Sequence, residues 1–295
     1  MTAEAMAQGT IYKGIGGFYY VKTDDGRLLE CRARGVLRKR GDKPVPGDRV
    51  RLGTEAGTHT IDAVLPRRNL MVRPPVANVD QLFIVASTAQ PAPSFLVVDK
   101  MTAYAIDQEA QPVVVVSKPD LASPQDMQAA YAHSGIPLVV ANALTGEGVG
   151  QIKERLKGKF SVFCGNSGVG KSTLMNAIAP GLGREVGTIS QKLGRGRHTT
   201  REVEVFEVED GLLADTPGFA SFDLQRAGAI LSDNLQLCFP EIKSRIGQCK
   251  FSSCTHTNEV GCAVRAAVKS GGMAPSRYQS YVTLFEEARA AENQY

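Results

Sequence analysis

The sequence predicts an α/β chain in three parts: a small β-barrel over residues 1–72, a doubly wound sheet over 73–224 and a helical segment over 225–295. Three observations predict it. Short strand-like runs with frequent turn signals come first, apolar strands then alternate with helical stretches, and a cysteine cluster interrupts the helix-patterned end. A content of 43% hydrophobic and 22% charged residues in 295 describes a globular chain and excludes a disordered one.

In the first part, runs at 11–12, 18–21, 28–31, 49–52 and 59–64 are strand-like, with turns at Asp25-Gly26, Gly41-Asp42 and Pro46-Gly47-Asp48. This pattern suits a small barrel, the oligonucleotide-binding fold (OB-fold) being one candidate. Pro66 and the Pro74-Pro75 pair mark a linker. Residues 1–73 hold fourteen Lys or Arg against eight Asp or Glu, a surplus of +6 where the whole chain carries +4. Such a lobe suits a phosphate-rich partner, although a solvated basic surface gives the same count. The start of the chain lacks the basic and apolar runs of a signal peptide, and no apolar stretch approaches the roughly 18 residues of a membrane span. A cytoplasmic protein without membrane contact is expected.

In the second part, strands are expected at 82–87, 113–117, 137–141 and 160–164, with helices at 94–108, 124–133, 149–156 and 171–179 between and after them. Two more strands follow, at 202–208 and 212–214, after a Gly- and Arg-rich stretch at 183–200 without clear period. Gly165-Asn166-Ser167-Gly168-Val169-Gly170-Lys171-Ser172 fits G-x-x-x-x-G-K-[ST], with Thr173 next, between an expected strand and an expected helix. Glycines let backbone N–H groups curl around a β-phosphate, Lys171 neutralises β/γ oxygens, and Ser172 is a ligand for Mg²⁺. Asp215-Thr216-Pro217-Gly218 closes a later strand, where an acid serves the Mg²⁺ shell and a glycine N–H meets a γ-phosphate.

A P-loop does not choose its base. Ser117-Lys118-Pro119-Asp120 resembles the N-K-x-D guanine motif, in which a carboxylate accepts from guanine N1 and N2 and a lysine lies over the base. Ser117 replaces the usual Asn, which puts the brace between this motif and the P-loop in doubt and predicts weaker nucleotide affinity. Asn142-Ala143-Leu144-Thr145-Gly146 resembles the S-A-x-x-G loop near guanine O6, with Asn142 where Ser is common. Both base motifs end apolar strands, where nucleotide sites belong. They also precede the P-loop, the reverse of the ordinary order, so a circularly permuted P-loop GTPase domain is expected.

Cys249, Cys254, His256 and Cys262 form C-x₄-C-x-H-x₅-C. Three thiolates and one imidazole complete a tetrahedral zinc site with no open position, which implies one structural Zn²⁺ in a C-terminal helical zinc-binding domain. Rotated motif order, a small N-terminal barrel and this cluster together resemble the ribosome small-subunit-dependent GTPase A family over nearly the whole chain. Gly47-Asp48-Arg49-Val50, Arg67-Arg68-Asn69 and Arg197-His198-Thr199-Thr200 are further family-like patches. The resemblance implies an OB-fold barrel and a GTPase stimulated by the small ribosomal subunit during its late maturation. Its implied partners are that subunit with its rRNA, and GTP or GDP; a monomer is expected.

Thr200 is the natural switch threonine for Mg²⁺, with Thr199 as the alternate. The position after D-x-x-G, often a water-orienting Gln, is Phe219, which makes no ordinary hydrogen bond, so intrinsic hydrolysis should be slow. The resemblance points to His198 as the substitute; Arg195 and Arg197 meet RNA, γ-phosphate or only solvent. Phe219 also favours a second reading, a nucleotide-gated RNA-binding placeholder in which hydrolysis is incidental. A P-loop ATPase is a third, and requires Asp120 to have no part in base choice.

Overall fold

The computed structural model describes residues 7–39, 43–72, 75–180, 203–215 and 230–293. They fall into two compact units, one drawn from Met1–Asp80, Glu154–Phe163 and Gly181–Phe219, the other from Gln81–Lys153, Cys164–Pro180 and Ala220–Tyr295.

The first unit opens with β1 (Gln8–Ile15), β2 (Phe18–Thr23), β3 (Leu28–Ala33), α1 (Gly35–Lys39), β4 (Arg49–Glu55) and β5 (Thr58–Val64). The strands run in the order β1-β2-β3-β5-β4, and β4 returns to pair with β1, so the sheet closes into the expected five-stranded barrel. Among the described barrel strands, β3 and β5 pair in parallel and the other pairs are antiparallel. Closure follows from alternation: β2 turns Tyr19, Val21 and Thr23 inward, where Ile11, Val21, Cys31, Val50 and Ile61 form a core closed to solvent. Five residues are too few to show a helical period, which is why α1 has no counterpart in the sequence reading.

The expected linker instead contains a hairpin, β6 (Leu70–Val72) with β7 (Pro75–Ala77), in which Leu70 faces Ala77. Pro75 opens its strand, a position that tolerates a missing N–H.

From there the chain alternates as its apolar pattern demands: β8 (Gln81–Ser87), α2 (Phe95–Asp107), β9 (Gln111–Ser117), α3 (Gln125–Tyr131), β10 (Leu138–Ala141), α4 (Val149–Leu156), β11 (Phe160–Cys164), α5 (Lys171–Ile178), β12 (Glu204–Val208) and β13 (Gly211–Asp215). In the second unit β10, β9 and β8 pair in parallel, with Ser87 opposite Ser117 at the carboxyl ends. Every residue of β8 is buried, as an inner parallel strand requires. In the first unit β11 pairs in parallel with β13, and β13 forms an antiparallel hairpin with β12.

The second unit ends in α6 (Ser232–Leu235), a 3₁₀ turn, α7 (Pro240–Lys243), α8 (Ala263–Lys269) and α9 (Pro275–Glu292). Phe239, Ile242, Val264, Tyr281 and Leu284 pack there in one core with Ala103 of α2. Arg277, closed to solvent, ties α9 to the same elements: it donates to Asp99 Oδ1 of α2 at 2.6 Å and to both carboxylate oxygens of Glu241 on α7. Its guanidinium lies 4.7 Å from the Tyr131 ring and 5.1 Å from that of Phe239. Two carboxylates share one cation, and burial holds Asp99 above the usual carboxylate range while Arg277 opposes the shift. No described helix is long and apolar enough to cross a membrane.

Candidate functional site: a nucleotide cleft and a metal centre

The P-loop leaves β11 at Cys164 and ends in Gly170, the left-handed N-cap of α5. A left-handed φ of 141° opens the loop at Gly165, where a Cβ would sit 2.3 Å from the Val85 carbonyl; only glycine fits. Lys171 Nζ folds back over the loop and donates to Gly165 O at 2.6 Å and Asn166 O at 2.8 Å. Ser167, Gly168, Ser172 and Thr173 are exposed, while Val169 is buried beneath them. The exposed start of α5, with its helix dipole and the Lys171 ammonium beside it, is an arrangement suited to phosphate.

Both base motifs lie at the carboxyl ends of β9 and β10, and both meet the site. Ser117 Oγ donates to the P-loop at Val169 O, 2.6 Å away. The brace left in doubt by the missing Asn therefore exists, made by a shorter side chain. Lys118 adds a second one, donating to Gly168 O at 2.7 Å and Gln90 O at 2.8 Å. Asp120 is exposed and held from one side: Asn142 Nδ2 donates to its Oδ1 at 3.0 Å. Asn142 Oδ1 in turn accepts from Leu144 N at 2.9 Å and Thr145 N at 3.3 Å, so one amide orders its own loop, Ala143 included, and aims the carboxylate. Gln90 was missed by sequence reasoning, since a carbonyl contact leaves no residue-type signal.

Ser117→Ala is expected to raise the Kd for GDP by about 2- to 10-fold, the worth of one net hydrogen bond of roughly 0.5–1.5 kcal/mol. Equilibrium titration with a fluorescent GDP checks it, and an unchanged Kd removes the brace.

Asp215 is the last residue of β13. Gly218, Phe219, Arg195, Arg197, His198, Thr199 and Thr200 lie outside the described residues. Ser172, at the first turn of α5, is exposed and offers a hydroxyl oxygen, the donor type a hard divalent cation takes, so it fits Mg²⁺ carried in with GTP.

The second cluster is the expected one. One donor atom from each of Cys249, Cys254, His256 and Cys262 lies within 4.8 Å of the others. His256 Nδ1 is 3.4 Å from Cys249 Sγ and 3.6 Å from Cys262 Sγ. Bond lengths of about 2.0 Å to nitrogen and about 2.3 Å to sulfur at a tetrahedral centre give a separation near ~3.5 Å. Burial first, and then the neighbouring thiols of Cys249 and Cys262, push the Cys254 thiol up to about 12, and burial lowers His256. A neutral imidazole is ready to ligate, whereas clustered thiolates need a compensating cation; the four residues fit structural zinc.

The loop is fixed around them. Ala263 N–H donates to Cys249 Sγ at 3.3 Å, and Tyr281 Oη to Thr255 O at 2.7 Å. Burial disfavours the Glu259 carboxylate, but hydrogen bonds from the Thr255 hydroxyl and amide overcome it and hold the group at about 2.

A P-loop, a guanine carboxylate in reversed order, a closed five-stranded barrel and a Cys₃His centre together define a circularly permuted GTPase with an OB-fold and a zinc module. The family comparisons agree part by part. The RsgA N-terminal domain matches residues 8–61 and the RsgA GTPase residues 64–225. The chain belongs to the RsgA GTPase family.

The small ribosomal subunit biogenesis GTPase RsgA of Clostridium kluyveri is 42% identical over 283 residues, 95% of this chain and 97% of the relative. The protein of the same name from Geobacillus sp. is 40% identical over 98% of this chain and 100% of its own. Among solved structures, YjeQ from Thermotoga maritima superposes with a TM-score of 0.80 at 34% identity, covering 96% of this chain and 98% of that one. YloQ, a circularly permuted GTPase, gives 0.80 at 32%, covering 98% and 97%.

Proposed function

We propose that this protein hydrolyses GTP to GDP and phosphate on the small ribosomal subunit and acts in that subunit's late maturation. One observation carries the guanine reading: Asn142 and Asp120, from two loops, are joined by a hydrogen bond at the mouth of a braced P-loop. The family membership and the names of its relatives support the ribosomal role. The basic surplus of the barrel segment supports rRNA as the partner it meets. We also read the chain as a cytoplasmic monomer in three domains, over 1–72, 73–224 and 225–295.

In this reading the backbone of Gly165–Gly170 and Lys171 bind the β- and γ-phosphates. Asp120 and Asn142 select guanine, and Lys118 lies over the base and ribose. Ser172 and Thr200 hold the Mg²⁺ that comes with the nucleotide and lowers the negative charge of the leaving phosphates. Asp215 and Gly218 complete the γ-phosphate side. His198 orients the attacking water, because Phe219 cannot.

The test is GTP turnover with purified small subunits. Wild type should be stimulated, and His198→Ala should lose on the order of 10²-fold of the stimulated rate with an unchanged GDP Kd. Equal stimulated rates would remove His198 from the mechanism. Absence of stimulation in the wild type would favour the placeholder reading. Displacement of bound nucleotide by GTP but not ATP excludes an ATPase.

A further inference from the structure

Two sequence patches, Gly47-Asp48-Arg49-Val50 and Arg67-Arg68-Asn69, have no role in the cleft. Both lie in the first compact unit, which groups the barrel with β11 as far as Phe163 and with β12 and β13.

The patches form a polar seam that ends on β11. At Gly47, with φ 85°, a Cβ would lie 2.2 Å from Ala77 O and 2.4 Å from the Phe160 ring, so the barrel's turn closes directly on both. Asp48, closed to solvent, takes Arg67 Nε at 2.6 Å and Nη2 at 2.7 Å. Asn78 Nδ2 donates to Gly47 O at 2.9 Å, and its Oδ1 accepts from Arg68 N at 2.9 Å. Arg68 reaches Asp80 at 2.8 Å. Asp80 then holds Phe160 twice, N–H to Phe160 O at 2.8 Å and Oδ2 from Phe160 N at 2.6 Å. Phe160 is the first residue of β11, whose last residue, Cys164, precedes Gly165 of the P-loop.

A second attachment lies on β1. Lys13 faces Glu204 of β12 in the ladder and pairs with it at 3.1 Å, and Tyr12 Oη donates to Glu207 at 2.7 Å. β12 follows Thr200 in the chain, and its hairpin partner β13 ends at Asp215. The barrel is thus attached to the strands that lead to, from and between the phosphate-side motifs.

We propose that the barrel and these three strands act as one mechanical piece, with Arg67, Asn78 and Asp80 as positioning residues through which a partner holding the barrel controls GTP hydrolysis. The proposal rests on the subunit-stimulated reading above. Directional hydrogen bonds fix the register of a seam that apolar contact alone leaves free to slide. Over four residue steps β11 spans about 13 Å, so a displacement at Phe160 is delivered to the P-loop by a stiff element.

The experiment uses full-length Asn78→Gly, which keeps the left-handed φ of 59° available while deleting the side chain, and Asp80→Ala. Circular dichroism, zinc content, GDP Kd, intrinsic turnover and half-saturation by small subunits should stay within about twofold of wild type. The stimulated kcat should fall at least about tenfold, since small misplacements at a reacting centre are costly. Full stimulation in folded variants overturns the proposal, as does an equal loss of intrinsic and stimulated turnover. If the wild type itself shows no stimulation, the functional reading fails and the seam is judged by amide exchange. That measurement also decides the case where the variants do not fold. Exchange of the Ala77, Val79 and Phe160 amides as slow as in the barrel core supports a rigid seam, and exchange as fast as in exposed loops overturns it.

Discussion

Asp120→Asn should lower affinity for GTP by at least about 10²-fold and transfer it to xanthosine triphosphate. A carboxylate accepts from guanine N1–H and N2–H together, and bonds to a charged group contribute roughly 1.5–3 kcal/mol each. An amide in its place has one acceptor and one donor. Asn142 Nδ2 donates to Asp120 Oδ1, so the amide places its oxygen toward Asn142 and its NH₂ toward the base. Guanine then meets donor against donor, whereas xanthine presents an oxygen where guanine has its amine. Competition of GDP and xanthosine diphosphate for a fluorescent nucleotide measures the exchange. Unchanged GDP affinity would sink the guanine assignment, and loss of both would show that the loop had collapsed.

Cys254→Ser is expected to remove the zinc and unfold the C-terminal module. Structural zinc contributes apparent free energies of roughly 10–16 kcal/mol, comparable with the whole stability of a domain at about 5–15 kcal/mol. The loop between Cys249 and Cys262, which carries all four ligands, is otherwise held by hydrogen bonds from Tyr278 and Tyr281 and by Glu259. Metal analysis should fall from about one zinc per chain, and near-UV dichroism from the two tyrosines should be lost. Because Ala103 of α2 shares a core with Phe239 and Tyr281, melting of the nucleotide-binding half should come at lower temperature as well. A variant with full zinc content and unchanged melting would overturn the structural role.

Much of the cleft was legible because its motifs are contiguous. A P-loop needs glycine at fixed places and lysine at its end, and these are chain-local demands. The strand run 82–87 and helix 149–156 were equally plain, since burial on a parallel strand or one helix face dictates composition. The reading of Ser117 was less complete. The sequence shows a departure from Asn, but only the fold shows that β9 brings a serine hydroxyl within 2.6 Å of Val169 O.

The sequence by itself determined the nucleotide, the Cys₃His cluster, the order of the motifs and the family, each carried by residue types at short spacing. Tertiary structure alone decided what holds those pieces in place. Asn142 aims Asp120 across 22 residues of chain, Arg277 reaches Asp99 across 178, and Asp80 grips Phe160 across 80. Such pairs leave no periodic or contiguous signal. A hydrogen bond constrains two groups in space and says nothing about the distance between them along the chain.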